Sequence, residues 1–383
     1  MRLAVIAGVD KRVSLESKGG SEVWAAQFVT EAAKRGHTVD LYAVGGSLEV
    51  PGSRVVPILP QTLPTYLDNA YFSSNTSQRK EQLMSTVYGA ALNQIAARAG
   101  AYDLLIDSVA YPSFSFNTGT LSIPALMVGH FPVDFMLEFY QQIFGWPERT
   151  TVVFPSKYQY EHATFLEERH KVHIPHGIDE RALRFSPKGS NTMVWMSRVH
   201  HTRMDKGLED AVLAAHSTGR TLRASGIVER SSRAYFEERI QPHLYGTVSF
   251  VEQSPDVAID KSDVLGNAKI CLLPLKWEEA FGLIIIESMA CGTPVIAYAR
   301  GAAPEIIDDG VTGLLVNPSD ADVRGDFIIK KAGFEGLCEA IQWVYGLDEA
   351  SYLRMRANSR EKVAESYSIG VMMDGYEKLF ARM

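Results

Sequence analysis

Apolar residues recur in short continuous runs along the whole chain, separated by polar or helix-like stretches. Because the runs are continuous and do not alternate with polar residues, they are typical of parallel strands that are covered on both faces. The stretches between many of them have helical character, which indicates an α/β fold with crossover helices. The predicted strands cover residues 3–8, 38–44, 54–59, 104–108, 125–130, 151–154, 192–197, 221–226, 248–252, 269–275, 294–299 and 312–316.

The first predicted helix shows the period most clearly. Ala25, Phe28, Val29 and Ala32 fall at i, i+3, i+4 and i+7, and Gly36 follows as a stop signal before the next strand. The start of the chain is therefore expected to fold as strand, loop, helix and strand.

A chain of 383 residues is expected to form two domains. The segment 179–191 is polar and contains Pro and Gly, so it is predicted to be the linker between an N-terminal domain (1–178) and a C-terminal domain (192–362). The last segment, 363–383, is predicted to be a helix that packs back on the N-terminal domain. Its apolar stripe consists of Met372, Tyr376, Leu379 and Phe380.

Composition narrows the class of protein. The formal net charge of -7, without a polybasic tract, argues against general nucleic-acid binding. No apolar run approaches the ~20 residues of a membrane-spanning helix, and the apolar start of the chain is interpreted as a buried strand and not as a signal peptide. The three cysteines, Cys271, Cys291 and Cys338, lie in apolar stretches and indicate a reducing compartment. We expect a soluble, cytoplasmic enzyme with membrane association unlikely.

The strongest candidate for chemistry is the stretch WEEAFGLIIIESMACGTPVIAYARGAAPEIIDDGVTGLLV. A helix that begins near Gly282 would direct the amides of Phe281, Gly282 and Leu283 at an anion. Glu279 and Glu287 would then be carboxylates beside a phosphate site. The alternative is that both are ordinary helix-end and surface glutamates. For Glu287 this alternative is difficult, because its neighbours in LIIIESMA would be buried and its carboxylate would need a partner.

This stretch resembles the large retaining glycosyltransferase family four, which includes relatives of glycogen and sucrose synthase. The resemblance covers the two-glutamate motif and continues through the segments 292–295, 304–306 and 310–315 in the family's order. It implies two Rossmann-like doubly wound domains that face each other across a cleft, the GT-B fold. It also implies transfer of a hexose from a nucleoside diphosphate sugar, with retention of anomeric configuration.

The same resemblance assigns roles to these residues. Glu279 would bind hydroxyls of the donor sugar, and Glu287 would bind the ribose hydroxyls of the nucleotide. The amides of Phe281, Gly282 and Leu283 would hold the sugar and the diphosphate. UDP is the nucleotide that the family uses most, so a UDP-sugar is favoured as the donor, with no cofactor and no essential metal.

Arg198 and Lys206 form a second candidate group, because two cations there could neutralise the leaving diphosphate. The family has an arginine and a Lys-Gly pair at these places, and Gly207 follows Lys206. The spacing is longer than the family's, and Arg203 could substitute for either cation. The alternative is solvated loop residues. The adjacent histidines 200 and 201 have no defined third ligand, so a zinc site is not expected.

Two further candidates lie in the N-terminal half. Gly19 and Gly20 open the first predicted helix, where glycines let the backbone approach an anion; a plain Ser-capped helix start is the alternative. His130 ends a predicted strand at the edge where α/β sheets bind ligands. By resemblance, the Gly-Gly turn would lie beside the donor phosphates and His130 would face the donor sugar. His176 stays undecided.

Other functions remain open. A sugar-nucleotide epimerase of the same fold would cleave the same bond without an acceptor, and a silent sugar-nucleotide-binding protein would cleave nothing. The acid pair Asp320 and Asp322 is interpreted as solvated and not as a metal site. The acceptor, a saccharide or other small molecule, is expected to meet the N-terminal domain, where residues 60–100 offer aromatic and polar groups. Its identity, the linkage, the donor sugar and the oligomeric state do not follow from the sequence.

Overall fold

The protein, described from a computed structural model over residues 1–67, 76–131, 135–201, 204–253 and 259–383, divides into two compact units. Unit 1 consists of Met1–Gly177 and Ile369–Met383, and unit 2 consists of Ile178–Ser368. Each unit is built on a parallel sheet with helices between most successive strands. The predicted α/β class is confirmed.

All twelve predicted runs overlap a strand. The strands of unit 1 are β1 (Arg2–Ile6), β2 (Thr38–Val44), β3 (Ser53–Leu59), β4 (Leu104–Asp107), β5 (Ala125–Val128), β6 (Thr150–Phe154) and β7 (Lys171–His173). Those of unit 2 are β8 (Thr192–Met196), β9 (Thr221–Gly226), β10 (Val248–Glu252), β11 (Ile270–Leu273), β12 (Val295–Tyr298) and β13 (Gly313–Val316).

Helices connect these strands. Those in the described part of unit 1 are α1 (Gly20–Lys34), α2 (Leu63–Leu67), α3 (Thr76–Ala97), α4 (Pro112–Ser115), α5 (Phe135–Phe144) and α6 (Lys157–His162). Unit 2 has α7 (Leu208–Thr218), α8 (Arg233–Tyr235), α9 (Lys261–Gly266), α10 (Leu283–Ala290), α11 (Ala303–Ile306), α12 (Gly333–Gly346) and α13 (Glu349–Ser366). The last helix, α14 (Ile369–Phe380), belongs to unit 1.

The strand order in each sheet determines where a ligand can bind. Unit 1 has the order β3-β2-β1-β4-β5-β6-β7, and unit 2 has β10-β9-β8-β11-β12-β13. Both are doubly wound, so the chain runs outward in opposite directions from one strand pair. This switch lies between β1 and β4 in unit 1 and between β8 and β11 in unit 2. Ligands of open α/β sheets bind outside the carboxyl ends of the strands at this switch.

The two units have separate apolar cores. Strands β4, β5, β11, β12 and β13 are buried at every position, as expected of parallel strands covered by helices on both faces. In unit 1 the last helix docks on the first: the rings of Phe28 and Tyr376 lie 5.2 Å apart. Beside them Arg35 forms ion pairs with Asp374 at 2.6 Å and with Glu377 at 2.9 Å.

The linker prediction differs from the structure. Residues 179–191 belong to unit 2, where Ser186 donates its amide to the carbonyl of Cys291 at 3.1 Å. The fully buried guanidinium of Arg356 binds the carbonyl of Ser186 at 2.8 Å. A polar composition with Pro and Gly therefore does not exclude close packing against the rest of a domain. The C-terminal boundary differs too, because α13 ends at Ser366 and the chain returns to unit 1 at Ile369.

Strand β7 was not predicted. It is three residues long, lies at the edge of the sheet beside β6, and has the sequence KVH, which contains no apolar run. Among the described residues, no helix is both long and apolar enough to cross a bilayer. Cys271 and Cys291 are buried and Cys338 is half-buried, and none of these thiols is in a disulfide.

Candidate active site

The candidate residues of unit 2 follow adjacent strands at its topological switch. Arg198 and Lys206 lie in the connection from β8 to α7, and Glu279 lies in the connection from β11 to α10. Strands β8 and β11 pair in parallel, with Cys271 opposite Val194. The fold therefore brings two segments that are about 75 positions apart in sequence to one edge of the sheet.

Lys206 and Glu279 form an ion pair at this edge. The indole of Trp277 lies beside both: its Nε1 donates to Oε2 of Glu279 at 3.2 Å, and the ammonium of Lys206 is 4.3 Å from the ring centroid. Glu279 is only 7% exposed, so its carboxylate needs these partners. Trp277 was not singled out from the sequence.

Two close contacts hold the backbone of Lys206 and Gly207 in place. Trp195 of β8 donates its indole N–H to the carbonyl of Lys206 at 3.0 Å. Gly207 has φ +74°, and a Cβ there would lie 1.9 Å from the carbonyl oxygen of Pro274. The glycine that follows Lys206 in the sequence is therefore needed by the backbone, because only glycine permits this turn beside the β11 connection.

Helix α10 begins at Leu283, with Gly282 as its N-cap in a left-handed conformation (φ +87°). The first amides of a helix have no acceptor within the helix and carry the positive end of its dipole. Phe281 is buried, and its ring lies 5.8 Å from that of Tyr367. This contact anchors the turn from which α10 starts.

Glu287 lies in the second turn of α10 and is 5% exposed. Its carboxylate has the partner that its buried setting demands: Oε1 is 2.5 Å from the ammonium of Lys261, the first residue of α9. No spacing rule connects positions 261 and 287, so only the folded sheet reveals the contact.

Arg198 has a different acidic partner from Lys206. Its Nη1 donates to Oε1 of Glu229 at 3.1 Å, and both side chains are partly exposed. Arg203 lies outside the described residues.

The histidine beside this loop is held by other contacts. Nδ1 of His201 forms a hydrogen bond with Ser232 Oγ at 3.1 Å, and the imidazole ring stacks on Tyr235. Among the residues that the structure describes, no group of three or more His, Cys, Asp and Glu could hold a metal ion.

In unit 1, Gly19 is the N-cap of α1 and Gly20 is its first residue. The side chain of Glu22 folds back over this turn and is nearly buried, so that a Cβ on Gly19 would lie 1.7 Å from Oε2 of Glu22. A larger residue at Gly19 would therefore require the carboxylate of Glu22, from the same turn, to move. The N-cap Gly19 has no side chain that could cap the helix, and its own amide donates to Ser17 Oγ at 3.3 Å.

His130 follows β5, and the structure places it against His176. Its Nδ1 is 3.2 Å from Nε2 of His176, and the indole of Trp24 packs on both rings, at 5.0 Å and 5.7 Å. Burial lowers the pKa of both imidazoles, so both are neutral at pH 7 and act as hydrogen-bonding groups. His176, whose role the sequence left undecided, is therefore the direct neighbour of His130. Two positions after His130, Pro132 lies outside the described residues.

The acid pair 320 and 322 is not simply solvated. Asp320 is exposed, but Asp322 pairs with Arg300 at 3.0 Å and also with Arg324. The hydrogen bond from Arg324 holds the pKa of Asp322 below its usual value. The sequence could not show this, because the partners lie on either side of β13.

Known proteins resemble part of this sequence. Residues 180–330 match the family described as glycosyl transferases group 1. N-acetyl-alpha-D-glucosaminyl L-malate synthase of Bacillus anthracis is 30% identical over 138 residues, which are 36% of this chain and 31% of that protein. The match therefore spans about a third of this curated relative.

Solved structures match over the whole chain. Sucrose-phosphate synthase of Thermosynechococcus elongatus has a TM-score of 0.72 at 20% identity, with 100% of both chains covered. HepE of Anabaena, solved in complex with UDP-glucose, has a TM-score of 0.70 at 16% identity, again with 100% of both covered. Two Rossmann-like units and these likenesses define a protein of the GT-B fold. The match to the glycosyl transferases group 1 family lies within unit 2 and includes the motif around Glu279.

Proposed function

We propose that this protein is a retaining glycosyltransferase that moves a hexose from a nucleoside diphosphate sugar, with UDP favoured, to a hydroxyl of a soluble acceptor. The observation that carries the proposal is the pairing of Lys206 with Glu279 at the switch of unit 2, within the group 1 domain. It joins a cation suited to a diphosphate with a carboxylate suited to sugar hydroxyls.

The carboxylates bind the two ends of the donor. Glu287 accepts hydrogen bonds from the ribose hydroxyls, and Glu279 accepts them from the donor sugar. Each charge-assisted bond of this kind contributes about 1.5–3 kcal/mol. Burial supports these roles, because a carboxylate that is 5% or 7% exposed has little water to lose when the donor arrives.

The cations and helix amides bind the diphosphate between these ends. Lys206 and Arg198 neutralise the charge that builds on the leaving group, and the amides of Phe281, Gly282 and Leu283 at the start of α10 add their dipoles. In this proposal they supply the electrostatic stabilisation that a metal ion supplies in other transferases, and no cofactor is required.

The family resemblance assigns the remaining roles to Gly19, Gly20 and His130. Gly19 and Gly20 allow the α1 turn to approach the donor phosphates. His130 donates or accepts a hydrogen bond at a hydroxyl of the donor sugar as a neutral imidazole, which agrees with its lowered pKa. The leaving phosphate takes the proton of the acceptor hydroxyl, which attacks from the face that the phosphate leaves. No protein base takes part.

UDP is favoured because it is common in the family and because HepE was solved with UDP-glucose. The test is a thermal-shift panel of UDP, GDP, ADP and TDP, followed by turnover of the matching sugars with saccharide acceptors and by NMR of the product anomer. We expect one diphosphate to stabilise the protein and an α-linked donor to give an α-linked product. A product with the opposite anomeric configuration, or no response to any nucleotide, would overturn the proposal.

The same panel separates the alternatives. An epimerase would release the diphosphate or an isomerised sugar at the same rate with and without acceptor. A silent binding protein would respond to the nucleotide but form no product with any donor. The two-glutamate motif does not support the epimerase, but both alternatives would bind a nucleotide, so binding alone does not discriminate them.

A further inference from the structure

Four charged side chains form a closed cluster beside the loop that carries Glu279. Oε1 of Glu278 accepts hydrogen bonds from Arg300 Nη1 and Arg324 Nη2, both at 2.9 Å. Asp322 binds the same two guanidinium groups, Arg300 at 3.0 Å and Arg324 as an ion pair. Each acid of this Glu278 cluster thus contacts each base. All four side chains are one-quarter to one-third exposed.

The cluster is tied to the backbone at Glu279 itself. Oε2 of Glu278 accepts the amide of Gly301 at 2.6 Å, and the amide of Ala302 donates to the carbonyl of Glu279 at 2.9 Å. A Cβ on Gly301 would lie 2.2 Å from that carbonyl oxygen, so the two backbones are in direct contact. Residues 278 and 279 are therefore hydrogen-bonded to residues 301 and 302 of the neighbouring loop.

Two members of the cluster come from the connection between β13 and α12. This segment, 317–332, is organised by the side chain of Asn317, which accepts the amide of Arg324 at 2.7 Å and donates to the carbonyl of Gly325 at 2.9 Å. These bonds fix the chain at the position where Arg324 reaches Glu278. The segment thus has a defined conformation and a defined target.

We propose that Glu278 is a positioning residue for Glu279, and that segment 317–332 supplies the groups, Asp322 and Arg324, that hold it. The proposal rests on the proposed function, in which Glu279 binds the donor sugar and Glu287 binds the nucleotide. Because the cluster contacts the loop of Glu279 and not helix α10, its loss displaces only the carboxylate that binds the sugar. Arg324 thereby controls the use of the sugar without contacting it.

The test compares Arg324→Gln with Lys330→Gln, a matched control on the same segment. Lys330 pairs with Asp326 in an exposed contact, with 70% and 94% of the side chains accessible. We expect Arg324→Gln to bind the free nucleoside diphosphate within twofold of the wild type but to lose at least tenfold in kcat/KM for the nucleotide sugar. Arg324→Lys should recover part of this loss, and the control should change neither quantity.

A second measurement does not depend on turnover. Amide hydrogen exchange in residues 278–280, which precede the amides proposed to bind the diphosphate, should be faster in Arg324→Gln than in the wild type, and unchanged in Lys330→Gln. Unchanged exchange, unchanged kcat/KM, or an equal loss for the diphosphate and its sugar would each overturn the positioning role. A wild-type protein that binds no nucleotide would instead overturn the proposed function, and hydrogen exchange would still decide whether the cluster holds this loop.

Discussion

The ammonium of Lys261 lies 2.5 Å from Oε1 of Glu287, although 26 positions separate the two residues in sequence. Glu287 is almost fully buried and Lys261 is about one-third exposed. The lysine therefore neutralises, from the surface side, the carboxylate that we propose binds the ribose. This pair explains how a charged group can persist within the apolar sequence of α10.

Removal of Lys261 should destabilise the protein, because the buried carboxylate of Glu287 loses its ion-pair partner. We expect Lys261→Gln to lower the free energy of unfolding by about 1–2 kcal/mol, less than for a fully buried pair because Lys261 is partly solvated. Urea titration at pH 7.5 measures this change. Affinity for the nucleoside diphosphate, measured by calorimetry, should fall as well, because Glu287 loses the group that orients it.

The matched control on α9 is Asp263→Asn. Asp263 pairs with Arg184 at 2.5 Å, but both side chains are well exposed. Such a pair contributes about 0–1 kcal/mol, and it has no contact with Glu287. Equal losses of nucleotide affinity in both variants would contradict a specific role for Lys261.

Lys206 should matter for the reaction as well as for the buried charge of Glu279. We expect Lys206→Ala to lower kcat/KM by about 100-fold or more, since removal of one group that stabilises developing charge has effects of this size. Lys276→Gln serves as the control, because that ammonium pairs with Asp210 at 2.7 Å and not with Glu279. Steady-state rates at several donor concentrations distinguish the two. A loss below about tenfold in Lys206→Ala would argue against its role at the diphosphate.

The strands could be predicted because their signal is local. Each buried parallel strand is a continuous apolar run, and every such run in the prediction overlaps a strand of the structure. The short edge strand β7 could not be found this way, because an edge position does not demand apolar residues on both faces. The packing of residues 179–191 was missed for a related reason: it depends on Arg356, which is far away in sequence.

The residues of the candidate site also fall into those that a local sequence signal predicts and those that it does not. Glu279, Gly282 and Glu287 lie within nine residues, so one turn and one short helix determine their relation. Lys261 and Arg324 arrive from other connections, and no periodicity links them to the motif. Residues within one loop are accessible to sequence reasoning, whereas partners that a parallel sheet brings together require the strand order.

Gly301 offers a test of the close contact behind Glu279. It has φ +53°, so alanine there meets both left-handed strain and the carbonyl of Glu279. Gly246 is the control: its φ is +60°, and nothing lies within 4 Å of an added Cβ. We expect Gly246→Ala to cost about 1 kcal/mol from strain alone. Gly301→Ala should cost about 3 kcal/mol or more by urea titration, and the hypothesis of a tight contact fails if the two variants are equal.

Asp107 at the end of β4 should make stability depend on pH. It is fully buried and accepts bonds from Ser115 Oγ and the amides of Val109 and Ala110, yet burial raises its pKa from 3.8 to about 6. Between these values the native protein holds a proton that the unfolded chain has released, so stability falls as the pH rises from about 4 to 6. A shift of this size corresponds to about 3 kcal/mol. Asp107→Asn should remove this decline, as followed by urea titration with hydrogen exchange of unit 1 peptides. Asp103→Asn should leave the decline between pH 4 and 6 in place, because the hydrogen bond from Arg2 lowers the pKa of Asp103 and does not raise it. Parallel pH profiles for wild type and Asp107→Asn would show that Asp107 titrates normally.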